Sequence, residues 1–425
     1  MIIFAIVFVA LMAIMGTPVF IVISAFAIIG FLAEGIPLAA IVVDVYNHFA
    51  NTPLLYTIPL FTFTGYLFAE SNASVRIVDL SKTLLGWLPG SLAIVSLITC
   101  AFLTAFTGAS GITIIALGGL LYPALIKELY PEKFSLGLLT SSGSLGLLFP
   151  PSLPLIFFAV ISETSITQLF AAGLMPGFLL IIILSIYSIY IAKNKTTPTK
   201  SINTKTVFNA FWTAKYELIV PFAIMAGIIS GFVTLGEIAV LCVVYTFFIE
   251  TYIYKDIQIN RIFLIIKECM IVVGGILIIM GSAIGFTNYM IDAQIPMVVL
   301  EFMQDFISSP FVFLIALNIF LLIIGCILDI YSAILVIVPL IVPIAESYGI
   351  NIVHLGIIFL TNLEIGYSTP PVGMNLFISC LRFNKSVIFL YKASVPFIIL
   401  LLIGLMIITY VPQLSLGLIE IFNIK

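Results

Sequence analysis

Two stretches decide the fold of this sequence: Gly146-Leu147-Leu148-Phe149-Pro150-Pro151-Ser152 and Gly366-Tyr367-Ser368-Thr369-Pro370-Pro371-Val372. Each places a glycine and a proline pair inside a strongly apolar segment, where the prolines must interrupt a helix. Lipid does not tolerate an interrupted helix, so each break is expected beside protein or a water-filled cavity. Paired interrupted segments in two halves of a chain are typical of the binding site of a secondary transporter.

The same spacing, 366 − 146 = 220 residues, relates other prolines and glycines. The further matches are Pro123 with Pro343, Pro176 with Pro396, Gly16 with Gly236, and Gly65 with Gly285. Random placement of the prolines would give about half a match at one offset, and four are seen. The alternative is that membrane helices simply use Pro and Gly often. Duplication is the favoured interpretation, and it predicts a first repeat at residues 1–205 and a second at 206–425.

The composition indicates a membrane protein. Hydrophobic residues make up 62% of the 425 residues, charged residues only 8%, and the mean hydropathy is +1.31. At about 20 residues per crossing, the chain has room for about ten or eleven transmembrane helices plus two re-entrant helical hairpins. The predicted fold class is therefore an all-α polytopic membrane protein. The five cysteines form no CxxC pair, so small buried side chains are expected rather than disulfides or ligands.

Charge predicts how the two repeats are oriented. Lysines cluster between the repeats, at Lys193, Lys195, Lys200, Lys205 and Lys215, which places this linker in the cytoplasm. Matched loops carry opposite charges: Arg76 and Lys82 correspond to the region of Asp292, Glu301 and Asp305, and Glu163 to that of Arg382 and Lys385. Copies that change sides of the membrane have inverted topology, with a pseudo-two-fold axis in the membrane plane.

Small polar residues interrupt the apolar run from Thr104 to Pro123, at Thr107-Gly108-Ala109-Ser110-Gly111. A re-entrant hairpin would place these residues at its tip. There, helix N-termini offer N–H groups to anions and frayed carbonyl groups offer oxygens to cations. The alternative is a seam of small residues where two helices pack.

Two acidic residues occur in the corresponding part of the second half. Asp329 lies in an otherwise apolar segment, where a carboxylate costs at least ~2.5 kcal/mol and is a functional candidate by default. Its alternative role is that of a helix-end residue that reaches interfacial water. Glu364 is a weaker candidate, because it could instead cap a half-helix.

Sodium is the cation that these segments are expected to bind. It prefers oxygen ligands, and an unwound Gly/Pro segment supplies carbonyl oxygens, to which Thr107, Ser110 and Thr369 could add hydroxyl groups. One such cluster in each repeat predicts two or more sodium ions. Proton coupling is less natural, since only Asp329 and Glu364 could relay a proton.

These motifs together resemble the large membrane subunit of the tripartite ATP-independent periplasmic (TRAP) transporters, in the ion-transporter superfamily, over nearly the whole chain. They are Pro59-Leu60-Phe61 with Gly65, the Thr107-Gly108-Ala109-Ser110 tip, Gly146 to Pro154, Asp329 with Pro339 and Pro343, and Asn362-Leu363-Glu364-Ile365-Gly366 followed by Thr369-Pro370-Pro371-Val372-Gly373-Met374-Asn375-Leu376-Phe377. The last run is long and specific.

The resemblance implies a sodium-coupled, elevator-type importer of a small organic acid, such as a dicarboxylate or sialic acid, in the bacterial inner membrane. It implies two partners: a small four-span membrane subunit, expected as a separate chain, and a periplasmic substrate-binding protein. The implied ligands are Thr107, Ser110, Gly146, Phe149 and Pro151 for one sodium ion, Gly325, Gly366, Thr369 and Val372 for a second, and Ser152, Asp329 and Ala109 for the substrate. The family's usual tip reads Ser-Gly-Ser, so Ala109 lacks a hydroxyl group at a substrate contact.

Two rival functions fit parts of the sequence. Gly108-Ala109-Ser110-Gly111 matches the Gly-x-Ser-Gly pattern of intramembrane serine proteases, which need a histidine beside the serine. His48 and His354 are the only histidines, and both lie among loop-like residues, where an interfacial position is expected. An ion channel is the other rival. No other enzyme motif appears, so the sequence predicts that the chain is not an enzyme.

Overall fold

The computed structural model describes residues 7–9, 11–12, 15, 17–51, 53–193, 204–230, 232–307, 309–370, 372–422 and 424, and every regular element among them is a helix. The first ten α-helices are α1 (Val19–Ala33), α2 (Ala39–Asn51), α3 (Thr57–Glu70), α4 (Ala73–Leu85), α5 (Ser91–Thr107), α6 (Ser110–Lys127), α7 (Glu132–Ser142), α8 (Leu153–Ile161), α9 (Ile166–Ala192) and α10 (Thr204–Thr213). The next ten are α11 (Lys215–Ser230), α12 (Leu235–Phe248), α13 (Ile259–Asp292), α14 (Ile295–Phe306), α15 (Pro310–Ile327), α16 (Ile330–Ser347), α17 (Ile352–Gly366), α18 (Met374–Phe383), α19 (Val387–Tyr410) and α20 (Gln413–Phe422). The all-α prediction is confirmed.

Seven helices in the described part of the chain are long and apolar enough to cross a membrane unaided. They are α6, α9, α12 with its π-helical extension to Ile253, α13, α15, α16 and α19. The bent pair formed by α7 and α8 makes an eighth. This count is below the ten or eleven predicted because other apolar segments, such as α1, α5 and α17, are shorter than a full crossing.

The helix bounds repeat at the 220-residue offset. Adding 220 to the ends of α5 gives 311 and 327, against 310 and 327 for α15. For α6 the sums are 330 and 347, the bounds of α16. The long helix α13 covers the positions that match both α2 and α3, which a short 3₁₀ turn separates in the first half. The agreement fits a duplication, and the boundary between residues 205 and 206 stays a prediction, since it falls inside α10, just after the linker 194–203 that lies outside the described residues.

Both proline-containing stretches break their helices as expected. The first Pro segment (residues 146–152) begins in a 3₁₀ turn after α7 and ends at α8, and the helices on its two sides are bent by 47°. The second Pro segment (residues 366–372) separates α17 from α18. Pro371 lies outside the described residues, as does Gly16. The first segment is buried apart from Phe149, which is half-buried, so its interrupted backbone is shielded by protein.

A buried ion-pair network ties α4 to helices of the second half. The guanidinium group of Arg76 donates to Glu217, to Glu250 at 2.9 Å and to Asp256 at 2.6 Å. Partial burial by itself would raise the pKa of Asp256. Hydrogen bonds from Arg76 and Asn72 outweigh this effect and hold the pKa of Asp256 below its ordinary value. Removing one member of such a network leaves buried charges unpaired. The network therefore fixes α4 against α11 and α12.

Candidate functional site

The first tip (residues 107–110) is a tight break between α5 and α6. Gly108 adopts φ = +63°, and a Cβ atom there would lie 2.6 Å from the side chain of Leu153. Only glycine meets both conditions without strain. Thr107 and Ser110 are 2% and 4% exposed, so the hydroxyl groups predicted at this tip are buried inside the protein.

The first Pro segment lies against α5, just before this tip. A Cβ atom on Gly146 would approach the amide nitrogen of Ala105 to 2.5 Å, so the two backbones are in direct contact. Next to it, the hydroxyl group of Thr104 donates to the Gly143 carbonyl at 2.7 Å. Ser152 is fully buried, its hydroxyl group has no hydrogen-bond partner, and it precedes the leucine that packs on Gly108. The structure thus brings the first tip and the first Pro segment together.

Two predicted ligands of this segment differ in orientation. The ring of Phe149 packs edge-on against Phe178 at 5.2 Å and contacts Gly177, both on α9. Its side chain therefore packs against α9, and only its backbone carbonyl, which accepts from the N–H of Ser152 at 3.0 Å, is suited to bind a cation. Pro151 is buried and, like any proline, offers only a carbonyl oxygen.

The second tip (residues 327–330) carries Asp329 where the first tip has Ala109. Asp329 is the N-cap of α16, and its carboxylate accepts hydrogen bonds from the N–H groups of Tyr331 at 3.1 Å and Ser332 at 3.0 Å. Its counterpart at the offset, 329 − 220 = 109, is Ala109, whose side chain caps nothing. Asp329 is half-buried, so it combines the helix-end role with access to the space beyond the tip.

The second Pro segment repeats the backbone contact of the first. A Cβ atom on Gly366 would lie 2.6 Å from the carbonyl carbon of Gly325. These positions are those of Gly146 and Ala105 plus 220. The hydroxyl group of Thr369 donates to the Ile365 carbonyl at 2.8 Å. Val372 is 43% exposed, so this end of the segment is open where the first is closed.

The two tips meet through tyrosines that the sequence analysis missed. The Tyr331 hydroxyl donates to the Gly108 carbonyl at 3.3 Å, and its ring packs edge-on against Phe157. The Tyr367 hydroxyl accepts from the N–H of Ile330 at 2.5 Å. Both tyrosines lie in the second half, one next to the second tip and one in the second Pro segment, and that placement was the available signal. Residues from both halves therefore form one constellation rather than two remote sites.

The unpaired atoms at this constellation suit a hard cation. Several fully buried oxygens lack hydrogen-bond partners: Ser152 Oγ, Ser368 Oγ, Asn362 Oδ1, Asn375 Oδ1 and both carboxylate oxygens of Glu364. Oxygen-only ligand sets fit sodium-like ions better than soft transition metals. Among the described residues, no group of three or more His, Cys, Asp or Glu side chains is placed to hold a metal ion.

The protease geometry is not formed around Ser110. His354 lies on α17, 3% exposed, and its ring nitrogens contact Ser415 at 3.2 Å and the Thr409 carbonyl at 3.3 Å. The Nε2 atom of His48 has no partner. The loop-like surroundings expected for both histidines are wrong: both lie on helices, and Asn351 caps α17 only three residues before His354. Their position at the membrane interface stays a prediction.

The sequence relatives are transporter permeases. The family model of the DctM component of tripartite ATP-independent periplasmic transporters matches residues 2–414. The chain is 31% identical to the isethionate TRAP transporter permease protein DctMQ of Oleidesulfovibrio alaskensis, over 96% of this chain and 64% of that protein. It is 32% identical to the C4-dicarboxylate TRAP transporter large permease protein DctM of Pseudomonas aeruginosa, over 86% of each chain.

Two further comparisons concern a sialic acid permease and a solved structure. The sialic acid TRAP transporter large permease protein SiaM of Vibrio cholerae is 31% identical over 87% of this chain and 86% of that protein. The crystal structure of the Alcanivorax borkumensis YdaH transporter superposes with a TM-score of 0.59 and 13% identity, covering 88% of each chain. At that identity the superposition shows a shared fold alone.

These matches establish the class of protein. The family consists of transporter permeases rather than enzymes, and its bacterial members are multi-pass proteins of the inner membrane. Because the transporters are tripartite, the family implies a small membrane subunit and a periplasmic binding protein as partners. The family model spans nearly the whole sequence. The chain belongs to the DctM family of TRAP transporter large permeases.

Proposed function

We propose that the chain imports a small organic acid together with sodium, as the large permease subunit of a binding-protein-dependent TRAP transporter. One observation carries the proposal. A tip and a Pro segment lie together twice, with the same glycine contact at Gly146 and Gly366, and the tips meet at Tyr331. Such broken helices provide both helix N-termini for an anion and carbonyl oxygens for cations.

Each repeat would bind one sodium ion with its own tip and Pro segment. The first site would use Thr107, Ser110, Gly146, Phe149 and Pro151, and the second would use Gly325, Gly366, Thr369 and Val372. The tight backbone contacts at both glycines support this assignment, because they hold the carbonyl groups at each break in fixed positions. Preorganised oxygens bind a cation without first paying the cost of ordering a loop.

The substrate would lie between the tips, close to Ser152, Asp329 and Ala109. The N-terminus of α6 has no capping side chain, so its N–H groups are free to bind a carboxylate or sulfonate. Asp329 would accept hydrogen bonds from hydroxyl or ammonium groups of the same molecule. The relatives named above are described as permeases for isethionate, C4-dicarboxylate and sialic acid, which supports a small organic acid.

The energetics suit accumulation from dilute solution. A tenfold sodium gradient supplies ~1.4 kcal/mol per ion. A net positive charge crossing ~100 mV adds ~2.3 kcal/mol. Two sodium ions moving with one monoanion therefore supply roughly 5 kcal/mol, which corresponds to accumulation of several thousandfold.

The proposed motion is that of an elevator. The carrier would contain the tips and Pro segments, and the scaffold would contain α1, α3 and α11–α12. A cleft of about 530 Å³ lies between α2, α13 and the loop before α9, and its lining includes Asp44, His48, Glu163 and Asn288. The cleft supports a boundary between a moving carrier and a fixed scaffold at this place.

Single cysteines at Thr107 or Thr369, in a chain freed of its native cysteines, should change their labelling by an impermeant thiol reagent when sodium and substrate are added. Cysteines at Ile224 or Val244 should not, and constant labelling at both tips would instead favour a channel.

Reconstitution tests the function as a whole. The chain, a small subunit and a binding protein are incorporated in liposomes, and uptake of labelled isethionate, C4-dicarboxylate and sialic acid is measured. Uptake of at least one acid should need sodium, show a Hill coefficient above one and carry positive charge inward. Omitting the binding protein should abolish most of the uptake. Undiminished uptake in sodium-free potassium buffer, or full activity of the isolated chain, would refute the proposal.

A further inference from the structure

A buried polar cluster lies where the two halves of the molecule cross. The hydroxyl group of Ser144 donates to the backbone carbonyl of Glu364 at 3.3 Å. These two residues are equivalent under the repeat, since 144 + 220 = 364. Equivalent positions touch only near the axis that relates two copies. The cluster therefore sits between the repeats, whereas each predicted sodium site belongs to one repeat.

The amide group of Asn375 is fixed in this cluster with its oxygen left over. Its Nδ2 atom donates to the Thr140 carbonyl at 3.3 Å and to the Ser144 hydroxyl at 3.4 Å. Both N–H bonds are thereby used, which sets the orientation of the amide. Asn375 is fully buried, and its Oδ1 atom has no partner. An amide oxygen is only an acceptor, so it requires a donor or a cation.

Glu364, whose backbone carbonyl accepts from Ser144, carries two more acceptors on its side chain. The residue is fully buried, and neither carboxylate oxygen has a hydrogen-bond partner. Ser368 follows four residues later, also fully buried and with an unpartnered hydroxyl group. Among the described residues, no basic side chain forms an ion pair with Glu364, and Lys392 on the neighbouring helix α19 is exposed.

Burying an isolated carboxylate is costly unless an opposite charge or hydrogen-bond donors compensate it. The acceptors of Glu364 and Asn375 cannot satisfy each other when the carboxylate is ionised, because neither carries a hydrogen. Oxygen ligands of this kind are those that hard cations select. We propose that Glu364 and Asn375 bind a further sodium ion on the axis between the repeats, with the Ser368 hydroxyl group as a further ligand.

This inference rests on the proposed sodium-coupled transport and adds an ion to it. With the ion bound, the pair of Glu364 and sodium is neutral and can remain buried. Without the ion, the returning carrier bears the uncompensated negative charge of Glu364. One transport cycle then moves one more positive charge inward than the two repeat-specific sites alone would move.

The test compares Glu364→Gln with Glu346→Gln in the complete reconstituted transporter. Glu346 is exposed near the end of α16 and serves as the matched control. Two quantities are measured: radioactive sodium bound per purified permease, and charge moved per substrate at controlled voltage. Glu364→Gln should lose one bound sodium ion and one charge per substrate, whereas Glu346→Gln should match the original protein.

Other outcomes separate this inference from the proposed function. Sodium-independent uptake by the original protein would overturn both. Sodium-dependent uptake with an unchanged ion count and charge in Glu364→Gln would overturn only the axial site. The infrared carbonyl band of a neutral carboxylic acid, present in saturating sodium and lost in Glu364→Gln, would also overturn it, since the group would then hold a proton.

A second variant guards against misfolding of the first. Asn375→Ala removes one ligand but leaves the carboxylate, so it should weaken the sodium-dependent rise in unfolding temperature, which reports binding to the folded state. We expect a several-fold higher sodium concentration for half of the rise. An unchanged sodium dependence in Asn375→Ala would contradict the site even if Glu364→Gln fails to fold.

Discussion

The first and second tips share one backbone plan and differ in their chemistry. Each lies beside a glycine in direct contact with the helix that precedes the tip, Gly146 on Ala105 and Gly366 on Gly325. The first tip is buried, bears hydroxyl groups and leaves the N-terminus of α6 uncapped. The second carries a half-buried Asp329 that caps α16.

This difference separates two tasks. Backbone contacts that recur at the offset of 220 suit the binding of like ions, because carbonyl groups do not depend on side-chain identity. Side chains that differ between the tips suit an asymmetric organic substrate, which needs unlike groups at its two ends. Variants that disrupt the shared backbone contact should have the largest effects, and variants of the side chains at the two tips should have smaller ones.

The shared backbone contact should be the most sensitive feature. Gly146→Val and Gly366→Val each force a Cβ atom to within 2.6 Å of backbone atoms. Such overpacking costs ~1–3 kcal/mol or more, so both variants should lose uptake completely and unfold at lower temperature. Gly274→Val is the control, because nothing lies within 4 Å of a Cβ atom there. Normal uptake by either variant would show that the close contact is not required.

The charge of Asp329 should matter more than its cap. Asp329→Asn keeps an oxygen that can accept from the N–H groups of Tyr331 and Ser332, whereas Asp329→Ala removes it. The Ala variant should lose ~1 kcal/mol of unfolding free energy and the Asn variant little. Both should lose at least about tenfold in uptake, the size of one charge-assisted contact. Wild-type uptake by Asp329→Asn would assign the residue a structural role only.

The hydroxyl groups should affect sodium affinity in parallel. Ser110→Ala and Thr369→Val each remove one oxygen from a proposed cation site. A contact worth ~1 kcal/mol corresponds to about a fivefold higher sodium concentration for half-maximal uptake. Ser282→Ala on α13 is the control, since its hydroxyl only bonds the Ile278 carbonyl of its own helix. An effect in one repeat and not the other would argue against two similar sites.

The smallest effect should come from making the tips more alike. Ala109→Ser supplies the missing N-cap of α6, which should stabilise the protein by ~0.5–1 kcal/mol in thermal unfolding. The new hydroxyl group would also add a hydrogen-bonding group at the proposed substrate contact, so uptake should rise slightly. Ala116→Ser, in the exposed middle of α6, should not stabilise. Equal effects of the two changes would contradict the capping argument.

Much of the site could be predicted because its signals are local. Prolines and glycines break helices wherever they fall, so both Pro segments and both tips lie where the sequence placed them. The residues that contact the interrupted helix ends could not be predicted in the same way. Tyr331 reaches Gly108 across 331 − 108 = 223 residues, and Asp329 caps a helix that periodicity alone could not position. The helical, buried position of His354 was likewise missed, because a polar residue soon after Gly349 and Asn351 looks like part of a loop.

Sequence by itself determined the membrane class, the positions of the breaks and the 220-residue offset, since composition and helix-breaking residues act on the chain locally. Only the tertiary structure decided which atoms remain unpaired. The packing of helix faces decides that both N–H groups of the Asn375 amide donate hydrogen bonds. It also decides that the Ser144 hydroxyl group contacts the Glu364 carbonyl. Packing joins residues far apart in the chain, and a single sequence carries no direct record of those contacts.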